Sequence, residues 1–154
     1  MIQVKIKKLH PDAVIPKYAT KGAACFDLVG LEYAEFFGPD GNPSKMHTGL
    51  AFEVPSGHVL LIYARSGMAT EMGIRPSNCV GVIDSDYRGE VIVPLHSDRI
   101  GIQCIQKGTR IAQAMIVKLP EVELVEAEEL SQTERGAGGF GSTGLFQRQG
   151  ARRL

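Results

Sequence analysis

The sequence contains no tryptophan and only three cysteines, Cys25, Cys79 and Cys104. Their odd number, wide spacing and lack of any CxxC pair argue against a disulfide framework or a cysteine zinc site. Buried, reduced thiols and a cytoplasmic setting are the expectation. Net charge is also missing, since 17 basic residues balance 17 acidic ones. A bulk electrostatic grip on nucleic acid needs a basic surface, so no nucleic-acid partner is expected, although a local basic pocket stays open. No apolar run approaches the ~18 residues of a membrane span, so no membrane partner is expected either. The first residues alternate charged with apolar side chains, and no signal peptide is expected. Internal repeats and low-complexity linkers are likewise lacking.

What is present points to a globular β domain. A chain of 154 residues falls within the ~100–200 residues of one domain. Hydrophobic residues make up 44% and charged residues 22%, close to the globular average. The 18 glycines and eight prolines punctuate the backbone too often for long helices and suit short strands and turns. Ile2 to Lys7 alternates strictly, the signature of a half-buried strand. Leu50 to Val54 ends at a Pro55-Ser56-Gly57 turn signal, and His58 to Ala64 is a near-continuous apolar run. Asn78 to Ile83 and Gly89 to Leu95 flank Asp84–Arg88, a pattern that reads as a hairpin. Ile111 to Leu119 is another apolar run, stopped by Pro120. One short helix of about two turns is expected after Ser66, with Ser66 as its cap and Gly73 as its stop. The sum is an all-β sandwich or barrel-like domain with one small helix.

Five segments depart from ordinary strand-and-turn sequence. Asp27 sits inside the apolar stretch Ala23–Leu28, where a carboxylate needs a partner or water. It suits either backbone hydrogen bonds or a cation and its waters. Arg65, Ser66 and Gly67 lie at the strand-to-helix junction, and arginine presents a bidentate fork suited to phosphate. Between Asn78 and Glu90, Gly81 interrupts a strand, which marks a bulge or a close approach of ligand to backbone. Asp84 follows the apolar pair Val82-Ile83 and is placed to act as a partly desolvated base. Asn78 carries both a donor and an acceptor, as a base edge requires. Gln113 interrupts the hydrophobic run 111–119 and needs partners, either a neighbouring strand or a ligand. Last, Arg135 to Gly144 holds five glycines in ten positions. Glycine loses the most backbone entropy on ordering, so this stretch favours neither strand nor helix. It presents many N–H groups to phosphate oxygens, with Arg135, Ser142 and Thr143 adding side-chain donors and Phe140 a ring for stacking. It is not a Walker loop, because no lysine follows the glycines.

In this order the five segments resemble the five motifs of the trimeric deoxyuridine triphosphatase (dUTPase) family. The likeness runs from about Ala23 to Gly144, most of the chain. Gly-Val-Ile-Asp-Ser-Asp-Tyr-Arg-Gly-Glu (81–90) and Arg-Gly-Ala-Gly-Gly-Phe-Gly-Ser-Thr-Gly (135–144) carry it, beside Arg-Ser-Gly (65–67) and Arg-Ile-Ala-Gln (110–113). The resemblance implies a distorted jelly-roll or β-clip fold, assembled as a homotrimer with active sites shared between subunits. The β domain would span 1–134 and a flexible arm 135–154 would close over an active site. It implies Mg2+-assisted hydrolysis of dUTP to dUMP and diphosphate, which limits uracil in DNA and supplies dUMP for dTTP synthesis. By motif position, Asp84 would activate the attacking water, and Asp27 would touch the metal through water. Arg65, Ser66, Gly67 and Gln113 would hold phosphates. Asn78, with backbone at Gly81, Val82, Ile83 and Ile92, would read uracil, and Tyr87 would lie beneath the deoxyribose. Phe140 would cover the base, while Arg135, Gly141, Ser142 and Thr143 would close over the β- and γ-phosphates. Ala64 and Ala24 replace the family's usual proline and glycine in the second and first motifs. Two other readings stay open: a deaminase of dCTP on the same fold, and a regulator that binds dUTP and signals to a protein partner.

Overall fold

The computed structural model describes residues 2–144; the tail 145–154 lies outside the described residues. Two compact units are distinct, Met1–Glu121 and Val122–Leu154.

The first unit is built of short strands: β1 (Lys5–Lys8), β2 (Phe26–Val29), β3 (Ala34–Phe36), β4 (Ser44–His47), β5 (Leu50–Glu53), β6 (His58–Tyr63), β7 (Ile74–Pro76), β8 (Val80–Ile83), β9 (Ile92–Ser97), β10 (Gln103–Ile105) and β11 (Arg110–Lys118). All pairings are antiparallel. A four-stranded sheet has the order β2-β11-β6-β8, a three-stranded sheet β4-β9-β7, and β1-β5 and β10-β3 form two-stranded pairs. Alternation drives the packing. In β9 every second residue (Val93, Leu95, Ser97) is buried, and in β2 Phe26 and Leu28 are buried while Asp27 and Val29 are half-buried. The core gathers Leu28, Met46, Leu50, Phe52, Leu60, Ile62, Leu95, Ile105 and Ile111 from all these sheets. Burying each such side chain contributes about 1.5–3 kcal/mol.

Five local expectations are corrected. The strands either side of Asp84–Arg88 do not form a hairpin: β8 pairs with β6, and β9 pairs with β4 and β7. The intervening loop crosses from one sheet to another, a distinction that two apolar runs and a turn do not encode. The helix is a single π-helical turn, Met68–Met72, whose N-terminal cap is Gly67 with no side-chain cap bond. Ser66 instead offers its carbonyl to the Thr70 hydroxyl at 2.7 Å. Gly73 does end the turn, with left-handed backbone and its N–H on the Met68 carbonyl. Gly81 makes no bulge, because β6 and β8 run in unbroken register from Leu60–Ile83 to Tyr63–Val80. A Cβ at Gly81 would stand 3.1 Å from the Ile62 Cβ, so close packing between strands accounts for the glycine. The cysteines are free, but Cys79 and Cys104 are exposed and Cys25 is half-buried. The first strand starts at Lys5, not Ile2.

In the second unit no residue of 122–144 is assigned to helix or strand. Its backbone bonds among the described residues are local turns: Gly136 to Thr133, Gly138 to Arg135, Ser142 to Gly139 and Gly144 to Gly141. Val122, Leu124, Val125, Leu130 and Phe140 are all exposed.

Candidate active site

The register of the four-stranded sheet sets out the site. Asp27 of β2 faces Gln113 of β11, which faces Tyr63 of β6, which faces Val80 of β8. One row across the sheet therefore joins the first and fourth motifs. It also fixes where the chain leaves β6 towards Arg65 and where it enters β8 from Asn78.

Asp27 is the hub of this row. Its Oδ1 accepts from Arg65 Nε at 2.8 Å, and its Oδ2 accepts from Arg110 Nη1 at 3.0 Å. Arg65 Nη1 also donates to the Arg110 carbonyl at 3.2 Å. A carboxylate in an apolar strand is costly unless paired, and two guanidinium partners meet that need. These charge-assisted bonds fix both arginines before any ligand arrives. One carboxylate between two guanidinium groups leaves a net positive charge, the requirement for holding a polyphosphate. Arg110 was not among the residues singled out from sequence, although it opens the Arg-Ile-Ala-Gln segment. Its signal was the demand of Asp27 for a counter-charge. The register shift in β11 between Arg110 and Ala112 lets the chain carry both Arg110 and Gln113 alongside β2. A cleft of about 580 Å³ borders Asp27, Val29, Arg110 and the segment 14–19.

Gln113 donates through Nε2 to the Ala64 carbonyl at 2.9 Å. That bond joins β11 to the residue before Arg65, so Gln113 holds the turn that presents Arg65, Ser66 and Gly67. Ser66 and Gly67 are exposed.

The third motif lies along a different edge. β8 is the outermost strand of its sheet, so the N–H and C=O groups on one side have no strand partner in the sheet. Such an edge is a template for further hydrogen bonding, and uracil carries the complementary donor and acceptor groups. Asn78 opens this edge in a tight turn, with Cys79 at φ 62° and the Val80 N–H on the Asn78 carbonyl at 2.6 Å. Asp84 closes it and is exposed. The loop then folds back: the Tyr87 N–H meets the Asp84 carbonyl at 3.2 Å, and the Tyr87 hydroxyl donates to the Glu90 carbonyl at 2.9 Å. Gly89 makes room for the ring, since a Cβ there would lie 2.6 Å from Tyr87 Cζ. Arg88 ties off the loop on the Ser85 carbonyl at 2.7 Å. Ile92, in β9, faces His47.

Arg65 and Asp84 leave opposite ends of the β6–β8 pair. The Tyr63–Val80 and Leu60–Ile83 rows are three residues apart, roughly 10 Å at the usual strand rise. Arg65 follows the first row and Asp84 follows the second.

A family model described as dUTPase matches residues 11–144. The chain belongs to the dUTPase family. The deoxyuridine 5'-triphosphate nucleotidohydrolase of Nautilia profundicola is 49% identical, over 93% of this chain and 99% of its own length. That of Wolinella succinogenes is 46% identical, over 93% of this chain and 95% of its own. Among solved structures, a G164S variant of the dUTPase of Staphylococcus bacteriophage 80alpha with dUpNHpp superposes with a TM-score of 0.85 at 26% identity. It covers 94% of this chain and all of that one. The all-β architecture is thus a family fold.

In the glycine-rich segment, Arg135 Nε donates to the Gly138 carbonyl at 2.9 Å. Phe140 is fully exposed, and Gly141, Ser142 and Thr143 form part of successive turns. Among the described residues no three His, Cys, Asp or Glu side chains gather into a metal cage, and no helix is long and apolar enough to cross a membrane.

Proposed function

We propose that the chain hydrolyses dUTP to dUMP and diphosphate by attack of an Asp84-held water on the α-phosphorus, in the cytoplasm and as a homotrimer. Family membership supports the reaction. The observation that carries the residue roles is the pair of arginines fixed on Asp27, together with the open edge of β8 that ends in Asp84.

Arg65 and Arg110 supply cationic forks for the phosphate chain, and Ser66 and Gly67 offer donors beside them. Uracil lies along β8, where Asn78 and the backbone of Gly81 to Ile83 read its edge and Ile92 backs it. Once the base covers it, this polar edge rejects a mismatched base strongly, because its groups would be left unpaired. Tyr87 lies beneath the deoxyribose and excludes a 2'-hydroxyl. Asp84, exposed at the end of β8, accepts a proton from the attacking water, a role typically worth 10²–10⁴-fold. Phe140 covers the base, and Arg135, Gly141, Ser142 and Thr143 bring donors to the β- and γ-phosphates.

The opposed exits of Arg65 and Asp84 support shared sites. Phosphate ligands and water-activating carboxylate come together most simply when different copies of the chain contribute them. The donor set also fits Mg2+, a hard cation that binds through substrate phosphates, waters and one or two carboxylates. Two arginines leave Asp27 acceptor sites for metal-bound water, since a carboxylate offers about four. When bound, Mg2+ neutralises phosphate charge as it develops.

Diphosphate release measured over dUTP, dTTP, dCTP, dATP, dGTP and UTP, with and without Mg2+, tests the reading. Release from dUTP alone, and only with the metal, is expected. Equal release from dTTP would overturn the uracil assignment, and ammonia release from dCTP would favour a deaminase.

A further inference from the structure

The segment that carries Tyr87 is held from behind by a group with no role in the reaction as described so far. The Glu90 carboxylate spans from the crossing loop to the β4–β5 corner. Its Oε2 lies 2.9 Å from His47 Nδ1, and its Oε1 accepts from the Gly49 N–H at 2.7 Å. The next residue is pinned to the same corner: the Val91 N–H donates to the Leu50 carbonyl at 2.8 Å, and the buried Thr48 hydroxyl donates to the Val91 carbonyl at 2.6 Å. On the other side, the carbonyl of Glu90 itself accepts from the Tyr87 hydroxyl. Glu90 thus joins the Tyr87 hydroxyl, the loop and the neighbouring strands. Its side chain is 24% exposed, against 45% for His47.

We propose that Glu90, held by His47, is a positioning residue that fixes the Tyr87 ring and thereby sets the preference for a deoxyribose over a ribose. The inference rests on the reading that Tyr87 lies beneath the sugar. A ring that rejects one hydroxyl by contact must not yield. A polar pocket that relaxes by about 1 Å loses on the order of 10²-fold in rate for a well-placed substrate, and it gains tolerance for a larger one.

The clamp also carries a pH dependence. Glu90 holds the His47 imidazolium above its ordinary pKa through their hydrogen bond, and the charges of Glu90 and Glu32 act in the same direction. Burial and the charge of Lys45 act against them. Burial favours the protonated form of Glu90, yet His47, the Gly49 N–H and His10 together hold its pKa below the usual carboxylate value. Glu32, His10 and Lys107 line the same cleft, of about 330 Å³. The ion pair is complete between the lowered carboxylate pKa and the raised imidazole pKa, and it is lost as pH rises through the latter.

The test is the ratio of kcat/KM for dUTP to that for UTP, measured from pH 5.5 to 9. Both substrates carry the same base and triphosphate, so the pH dependence they share cancels in the ratio. In the wild type the ratio is expected to fall as His47 deprotonates. Glu90→Gln keeps an acceptor for Gly49 but no charge for His47. It should lower the ratio on the order of tenfold and flatten its pH profile, with the thermal midpoint within a few degrees of wild type. His47→Gln acts from the other side and should flatten the profile in the same way, which keeps the question answerable should Glu90→Gln fold poorly. A wild-type ratio and profile in folded Glu90→Gln or His47→Gln would overturn the clamp. Tyr87→Ala separates the two layers. If it leaves the ratio unchanged, the sugar assignment fails. If it collapses the ratio while Glu90→Gln and His47→Gln do not, only the clamp fails.

Discussion

In the proposed site, the row of Asp27, Arg65, Arg110 and Gln113 and the glycine-rich segment 135–144 would both offer donors to phosphate, yet they are built on opposite principles. In the first, each donor has an internal partner: two guanidinium groups share one carboxylate, and Gln113 is tied to the Ala64 carbonyl. Ordering has been achieved by folding, and ligand binding need not supply it. In the second, local turn bonds are the only backbone bonds among the described residues, and Phe140 has no apolar cover. There, in the proposed function, the entropy of fixing five glycines would fall due when the nucleotide binds. Preformed donors give affinity at low cost, whereas donors that must be ordered respond to whether the right ligand is present. The contrast teaches why a folded β domain would carry a segment that adds nothing to its core.

The largest expected effect comes from the carboxylate that both regions would serve. Asp84→Asn should lower dUTP turnover by about 10²–10⁴-fold, with nucleotide affinity within a few-fold of wild type. An unchanged kcat would remove Asp84 from its role. Next, truncation after Glu134 should cut turnover on the order of 10²-fold while the thermal midpoint stays put, because the described residues 135–144 contribute no side chain to the core. A large drop in the midpoint would make the segment structural and erase the contrast. Arg65→Lys tests the preformed side. Loss of the fork that meets Asp27 should raise KM for dUTP about tenfold, with a smaller change in kcat; an unaltered KM would break the assignment.

The smallest effect is a matter of pH and stability. His47 is held above its ordinary pKa by Glu90, so the pair stabilises the fold most at pH below the usual histidine value. That contribution fades as pH rises through the raised one. Because His47 is nearly half exposed, solvent screens much of it. The thermal midpoint of wild type relative to His47→Gln should decline from pH 6 to 8.5, and a flat difference would show that the pair is energetically silent.

Much of the fold was legible because apolar runs and alternation report burial directly. The runs behind β6 and β11 appear as strands within a residue or so of their expected bounds, and Gly73 ends its helical turn. The hairpin reading of 78–95 failed for a physical reason. Two apolar runs and a turn specify strands, but not which sheet each joins, and β6 and β4 supply better partners than β8 and β9 offer each other. The local cap at Ser66 lost to Gly67, whose helical backbone already starts the turn. The five site segments stood out through their unusual residues. Their partners did not: Arg65 lies 38 positions from Asp27, Arg110 lies 83 away, and Glu90 lies 43 from His47. A charge inside a strand announces that it needs a partner but not who it is. The expected burial of the cysteines failed because thiols pack well on average, and nothing local marks Cys79 and Cys104 as lying outside the core.

Asp27 has a further consequence as a built-in stand-in for phosphate. While its carboxylate occupies the two guanidinium groups, a lone inorganic anion must compete with a tethered rival to seat itself there. Simple phosphate should therefore be a poor inhibitor, and only a chain of several linked phosphates, gripped at many points together, should displace enough of that rivalry to stay.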